Sequence, residues 1–373
     1  MKRSFIREIL EHTTDQTISF AGGLPDESLF PLSQLQDSAY KVFEDSSLLQ
    51  YTISQGYLHL REKIAAFYCE EGFDTTSDQI LITSGSQQAL DIITRFYNNT
   101  NITLEAPSYL GAMNIFELNK MKILTVPLEK EGINIDEFKK SFKQTKLAYL
   151  IPDFQNPTGI TYTEKKRIAV AKYIQKEGGI LIEDSPYSAL YFEQASKSIS
   201  SRIPKQSYHL GSFSKVLAPA MRIGWIRADK ELLQPLIAYK EAMDLHTNSV
   251  AQRIIDHYLN NSQRYNEHLA MLREVNKAKM EFFTNELEKI LPMFRYTKPK
   301  GGMFVYGTLV GVNTSNLLKM CLKNDVVFVP GCEFYLDKKA DNEIRFNFTK
   351  TTKEQVVKGL EIIKKSLLKE TNL

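Results

Sequence analysis

Cysteine is scarce in this sequence: Cys69, Cys321 and Cys332 are odd in number, far apart, and none belongs to a C-x-x-C pair. That excludes a disulfide scaffold and a cysteine-based zinc site, and it fits a reducing compartment. The six histidines show no H-E-x-x-H or related spacing, so no metal centre is expected. An excess of one charge is missing as well, since a formal net charge of +3 is too small to imply nucleic acid as a partner. No apolar stretch approaches the length of a membrane span, and residues 1–20 lack the long apolar core of a targeting segment. A cytoplasmic protein that engages neither membrane nor nucleic acid is expected. Internal repeats, low-complexity tracts and flexible linkers are also absent.

What is present describes an ordinary globular chain, 43% hydrophobic and 24% charged, whose 373 residues are enough for two domains and a large core. The densest lysine run, KEQVVKGLEIIKKSLLKE at 353–370, alternates with apolar residues at helical spacing and reads as the wet face of a terminal helix. Short apolar runs alternate with amphipathic segments through the middle: ILIT (80–83), ITLEAP (102–107), ILTVPL (123–128), LAYLIP (147–152), GILIED (179–184), YHLGSF (208–213) and RIGWIRA (222–228). TEKKRIAVAKYIQKE (163–177) starts at a capping threonine and stops at Gly178-Gly179, as a helix should. Apolar strands without alternation, separated by helices, predict an α/β fold with a mostly parallel, seven-stranded sheet sandwiched by helices.

From about 229 to 291 the periodicity is helical, broken near Asn260-Asn261-Ser262. Beyond Pro292 come new strand-like pieces (GGMFVYGTL, VVFVPG, EIRFNF) and a final helix. These predict a smaller α+β domain built from both chain ends. The expected division is an N-terminal segment over 1–45 that contributes to the small domain, a large domain over 46–275, and a C-terminal small domain over 276–373.

In a doubly wound sheet, ligands sit at the carboxyl ends of the strands. Several polar groups fall there. Asp184 closes GILIED, Asn156 follows LAYLIPDF, and Lys215 and Arg222 bracket the turn after YHLGSF. Gly85-Ser86-Gln87 follows ILIT and opens a helix, where free N–H groups favour an anion such as phosphate. Each has a plainer reading on its own. Asp184 suits a turn cap before Pro186, Asn156-Pro157-Thr158-Gly159 is a sound turn, Ser86 a helix cap, and Lys215 a surface lysine. Together they describe one ligand with a phosphate, a group needing a carboxylate partner, and an electrophile for an amine.

The set resembles the fold-type-I pyridoxal-phosphate enzymes, specifically the class I/II aminotransferase family, over nearly the whole chain. The most specific piece is SFSKVLAPAMRIGW (212–225), in which S-x-S-K is followed by P-x-x-R-x-G. FQNPTG, Asp184-Ser185-Pro186-Tyr187 and IRFNF sit in the expected order. SFAGGLPDESLFP (19–31), LQYTISQGYLHLRE (49–62) and ITSGSQQALD (82–91) are similar to the aminoadipate/kynurenine aminotransferase branch. One residue departs from the pattern: Ala220 stands where the family carries glycine, and a need for positive φ there would change the loop.

The resemblance implies pyridoxal 5′-phosphate as cofactor. It implies that Lys215 forms a Schiff base with the cofactor aldehyde and later moves a proton, and that Arg222, Ser212, Ser214, Ser86 and Gln87 hold the phosphate. Asp184 would pair with the pyridine nitrogen, Asn156 and Tyr187 would hydrogen-bond the phenolic oxygen, and Tyr109 would stack on the ring. Arg345 would grip the substrate α-carboxylate beside the backbone at Gly22 and Gly23. Arg345 otherwise suits a structural ion pair, Tyr109 core packing, and the two glycines an ordinary turn. Tyr51 would reach the phosphate of a neighbouring subunit in a homodimer with shared active sites, its plainer reading being a core tyrosine.

The activity implied is amino transfer from an aminoadipate-like, aromatic or branched-chain L-amino acid to a 2-oxo acid such as 2-oxoglutarate. A β-lyase on the same scaffold is a second reading. The third is the effector domain of a GntR-like regulator, which carries an N-terminal DNA-binding winged helix, whereas this chain reaches GGLPDESLFP within 31 residues.

Overall fold

A computed structural model of the chain describes residues 16–371 together with Phe5, Ile9, Glu11, Thr13 and Thr14. Most of the first fifteen residues of the 1–45 segment therefore lie outside the described residues. The chain begins with β1 (Ile18–Ser19), α1 (Leu32–Val42), α2 (Leu58–Glu70), β2 (Ile80–Thr83), α3 (Ser86–Phe96), β3 (Asn101–Ala106) and α4 (Leu110–Leu118). It continues through β4 (Lys122–Glu129), β5 (Gly132–Ile133), α5 (Ile135–Thr145), β6 (Leu147–Leu150), α6 (Glu164–Glu177), β7 (Ile180–Asp184), β8 (Ser207–Ser212) and β9 (Gly224–Arg227). Three helices follow, α7 (Lys230–Asp244), α8 (Ser249–Tyr258) and α9 (Ser262–Ile290). The last part holds β10 (Arg295–Tyr296), β11 (Phe304–Thr308), α10 (Thr314–Leu322), β12 (Val326–Val327), β13 (Val329–Pro330), β14 (Glu343–Asn347) and α11 (Lys353–Thr371).

The large sheet runs in the order β2-β9-β8-β7-β6-β3-β4-β5. It contains the seven expected strands and one addition, the two-residue β5, which turns back antiparallel on β4. The contiguous strands from β8 to β4 are parallel, while β9 is antiparallel to both β8 and β2. Every residue of β2, β6 and β8 is buried, as strands covered by helices on both faces must be. α6 behaves as its sequence predicts: the Thr163 side chain accepts from Lys166 N–H, and Gly178 closes the helix at φ 70°.

The long helical stretch after β9 has a break that periodicity did not reveal. Leu245 adopts φ 62° and ends α7, and the Asn248 side chain caps α8 by accepting from Ala251 N–H. The expected break appears at Asn261, whose side chain caps α9.

A second, four-stranded sheet has the order β10-β11-β14-β13, and β1 pairs in parallel with β12. Ile18, Phe20 and Ala21 share one hydrophobic cluster with Met280, Phe283, Leu287 and Phe346, so the two chain ends bury each other's apolar faces. Farther along, Leu29 and Leu35 turn instead toward the cluster that contains Ile255, and Asp45 pairs with Arg253 on α8. α9 spans both clusters, with Leu269 and Leu272 in the first half and Met280 onward in the second.

Sheet topology positions the site. Parallel β7 and β8, and β2 with the same sense, deliver their carboxyl ends to one edge. Because β9 is antiparallel, its first residue, Gly224, pairs with Thr83 on one side and Ser212 on the other. The residues after β2, β7 and β8 and those just before β9 therefore meet.

Candidate active site

At this edge lies a cleft of about 1000 Å³. One end is a cup made by the β2–α3 turn. Gly85 has φ +82°, a conformation that favours glycine, and a Cβ there would lie 2.6 Å from Arg222 Nη2 and push that guanidinium aside. Arg222 donates through Nη2 to the Ser84 carbonyl (3.0 Å) and through Nη1 to the Pro219 carbonyl (3.3 Å). Ser86 and Gln87 occupy the first turn of α3, where backbone N–H groups have no intrahelical acceptor. Ser212 Oγ accepts from the Ser214 amide at 3.0 Å and donates to Ser214 Oγ at 2.9 Å. A guanidinium, two hydroxyls and a helix N-terminus on one cavity suit a phosphate. Ala220 causes no conflict: the positive φ of this loop falls on Arg222, at +53°, and Ala220 sits exposed in the turn Pro219–Met221.

Asp184 ends β7 with 4% of its surface exposed. Its Oδ2 accepts from Tyr149 Oη at 2.7 Å, while Oδ1 is buried without a hydrogen-bond partner among the described residues. Burial pushes the carboxyl up to about 6, partly offset by the Tyr149 hydrogen bond and the charge of Lys215. An unpartnered buried carboxylate oxygen costs stability until a donor, above all a cationic N–H, meets it. That is what a protonated pyridine nitrogen offers, so the residues fit the group. Lys215 Nζ donates to the Gly23 carbonyl at 2.8 Å. Asn156 Nδ2 lies 3.4 Å from the Tyr187 hydroxyl, and burial holds that phenol well above its ordinary range, keeping it a donor. Tyr109 caps the start of α4 and donates to Gln87 Oε1 at 3.2 Å.

Arg345, on β14, is 1% exposed. Its Nη1 donates to Asn156 Oδ1 at 2.8 Å, its Nη2 donates to the Ala21 carbonyl, and Nε is buried without a partner among the described residues. The rings of Phe304 and Phe334 lie 4.3 and 5.0 Å from the guanidinium. No carboxylate pairs with it among the described residues, which removes the structural ion-pair reading. Desolvation lowers its ordinary value to about 10, so it remains a cation at neutral pH.

Of the expected site residues, the cleft is lined by Ser86, Gln87, Tyr109, Asn156, Asp184, Tyr187, Ser212, Ser214, Lys215, Arg222, Arg345 and Gly23. Gly22 is not on its wall. Tyr51 is not either; it is 77% exposed, with its ring edge-on to His246, and so it is not a core tyrosine.

Three contributors went unnoticed in the sequence. Tyr149 was a hydroxyl inside an apolar strand, which is itself a signal, since a doubly covered strand has no water for it. Glu105, inside ITLEAP, is fully buried and pushed by burial up to about 8. It accepts from Tyr162 Oη (2.7 Å) and from Gln155 Nε2 (3.1 Å), and Gln155 Oε1 accepts from Thr158 N–H (3.0 Å). This network fixes the turn that carries Asn156. The third, the Ala21 carbonyl, carried no sequence signal, whereas the backbone at Gly23 was expected beside the substrate and its carbonyl accepts from Lys215.

The family model "Aminotransferase class I and II" matches residues 22–363. An aromatic-amino-acid aminotransferase of Thermococcus litoralis is 35% identical over 99% of this chain and 93% of its own length. The structure is similar to that of the α-aminoadipate aminotransferase LysN of Thermus thermophilus, complexed with N-(5′-phosphopyridoxyl)-L-leucine. The TM-score is 0.92 at 32% identity, covering 100% of this chain and 96% of that one. The kynurenine aminotransferase of Pyrococcus horikoshii, in complex with PMP, matches with a TM-score of 0.92 at 31% identity over 99% and 95% of the two chains.

Proposed function

The chain belongs to the class I and II aminotransferases, and on that premise we propose how its cleft holds pyridoxal phosphate and an L-amino acid. The enzyme is a pyridoxal-phosphate-dependent transaminase that moves an amino group to a 2-oxo acid. One observation carries the assignment of roles. Two buried polar atoms without partners, Asp184 Oδ1 and Arg345 Nε, belong to residues that line the same cleft as Lys215. A carboxylate seeks a cationic N–H, and a guanidinium with an open edge seeks a carboxylate. The cofactor ring and the substrate α-carboxylate answer these two needs.

Bound there, pyridoxal phosphate supplies an electron-withdrawing ring that makes the substrate α-proton removable. Asp184 holds the ring nitrogen protonated. Asn156 and Tyr187 donate toward the phenolic oxygen, and Tyr109 covers a ring face. The Arg222 guanidinium, the Ser212 and Ser214 hydroxyls, and the Ser86 and Gln87 amides receive the phosphate. Arg345 would hold the α-carboxylate through hydrogen bonds from its guanidinium and so orient the substrate. Lys215 would hold the cofactor through its amine, and the same amine, once free, would serve as the base that carries the substrate α-proton.

The substrate class proposed is aminoadipate-like, aromatic or branched-chain amino acids, with 2-oxoglutarate as acceptor. It is supported by relatives named for aromatic amino acids and α-aminoadipate. A homodimer is proposed because Leu49, Tyr51, Ile53 and Leu245 are all exposed along neighbouring segments, more apolar surface than water favours. We further propose a division at 45/46 and 275/276; the two clusters that α9 spans support the second boundary, whereas the packing of Leu29, Leu35 and Asp45 with the large domain argues against the first. A cytoplasmic location is proposed from cysteines that are few and far apart in the sequence; no described helix is long and apolar enough to cross a membrane.

A panel of amino donors with 2-oxoglutarate, scored by glutamate formed, tests the function, and borohydride reduction with peptide mapping tests the tether. The expected result is acceptor-dependent glutamate and a label on Lys215. Pyruvate and ammonia formed without acceptor would mean a lyase instead, and a label on another lysine would overturn the tether.

A further inference from the structure

The phosphate cup has a support built from Ser84 and Gln88, which both line the cleft. Gly85 is the N-cap of α3, and glycine has no side chain with which to cap the helix. An ordinary capping residue would bond the second or third amide of the helix and so occupy a group that faces an anion. Here Gln88, one turn in, reaches back instead. Its Oε1 accepts from the Ser84 amide at 2.8 Å, while the Ser84 carbonyl accepts from Arg222. The N–H and the carbonyl of Ser84 are thus both held; the Gln88 backbone amide bonds the Gly85 carbonyl, and the cap leaves the Ser86 and Gln87 amides to the cup.

The orientation of Gln88 is itself determined. Its Nε2 donates to Asp244 Oδ2 at 2.8 Å, so the amide cannot flip without facing donor to donor. The other oxygen of Asp244 pairs with Nζ of Lys240, whose side chain is 0% exposed. A lysine buried beside a single carboxylate is expensive to maintain unless that carboxylate stays within reach. Its effect is to lock Asp244 toward α3.

We propose that Gln88, held by Asp244 and Lys240, is the positioning residue of the phosphate cup. It fixes the Ser84–Gly85 turn so that Arg222 and the α3 amides converge on one phosphate. This rests on the assignment of the cup to the cofactor phosphate, and the test separates the two.

Protein freed of cofactor by dialysis is titrated with pyridoxal phosphate and with pyridoxal, which lacks the phosphate. The wild-type protein must prefer pyridoxal phosphate strongly; without that preference the cup assignment itself fails. Gln88→Leu is expected to weaken pyridoxal phosphate about tenfold, or ~1.4 kcal/mol, with pyridoxal unchanged. The double variant Lys240→Met with Asp244→Leu, which leaves no buried charge unpaired, is expected to shift the ratio in the same direction. A loss of general structure would weaken both ligands together. The proposal is overturned if either variant keeps the wild-type ratio, or if both ligands weaken equally.

Discussion

The hydroxyl of Tyr149 lies 2.7 Å from Oδ2 of Asp184, across adjacent parallel strands and with both residues buried. Burial sets the Asp184 carboxyl at about 6, above its ordinary 3.8. A folded value above the unfolded one means the charged form is disfavoured by folding. Asp184 therefore costs stability above about pH 6, and the cost disappears as pH falls below about 4. Tyr149 reduces that cost because it donates to the carboxylate. Tyr149→Phe should thus destabilise the cofactor-free protein more at pH 8 than at pH 4. A hydrogen bond to a charged acceptor is worth about 1 kcal/mol more than one to a neutral acceptor, and urea titrations at the two pH values measure the difference. Equal losses would show that Asp184 does not titrate in this window.

In the role proposed for Arg345, Arg345→Ala would leave the substrate carboxylate without its charged partner. Truncating one member of a buried charged pair costs roughly 2–5 kcal/mol, so kcat/KM for amino acids should fall about tenfold to several thousand-fold. Cofactor binding should survive, and simple amines lacking a carboxylate should be affected far less. Single-turnover rates with both substrate types decide it. An equal drop for amines would sink the carboxylate role.

Gly224 is pressed against the cup. A Cβ there would stand 2.7 Å from the Gly85 carbonyl carbon and the Ser86 nitrogen, and backbone cannot swing aside as a side chain does. Gly224→Ala should cost about 1–3 kcal/mol as overpacking and displace the α3 N-terminus, weakening pyridoxal phosphate more than pyridoxal. Wild-type affinity and melting temperature in this variant would show that the turn yields freely.

Tyr51 is exposed and does not line the cleft of its own chain, and the proposed role in a neighbouring subunit can be tested by mixing. Lys215→Ala and Tyr51→Phe chains, each impaired alone, should regain activity when mixed, because some mixed dimers then carry one undamaged site. Activity that stays at the level of the parents, after subunit exchange is demonstrated by mass, would count against shared sites.

The sequence by itself determined the elements and most of the polar groups. Apolar runs such as ILIT and LAYL, and the Thr163 and Gly178 boundaries of α6, reflect backbone bonding and periodicity that act over a few neighbouring residues. Chemistry-bearing residues at strand ends were legible for the same reason, since a carboxyl edge is a place named by the chain itself. Tertiary structure alone decided the partners. Tyr149 meets Asp184 through strand register, Gln88 meets Asp244 across two docked helices, and Lys215 meets a carbonyl at Gly23 from the other end of the chain. The break at Leu245 and the exposure of Tyr51 are decided there as well. Such relationships depend on how elements dock and on what burial leaves unsatisfied, and no local stretch of sequence encodes either quantity.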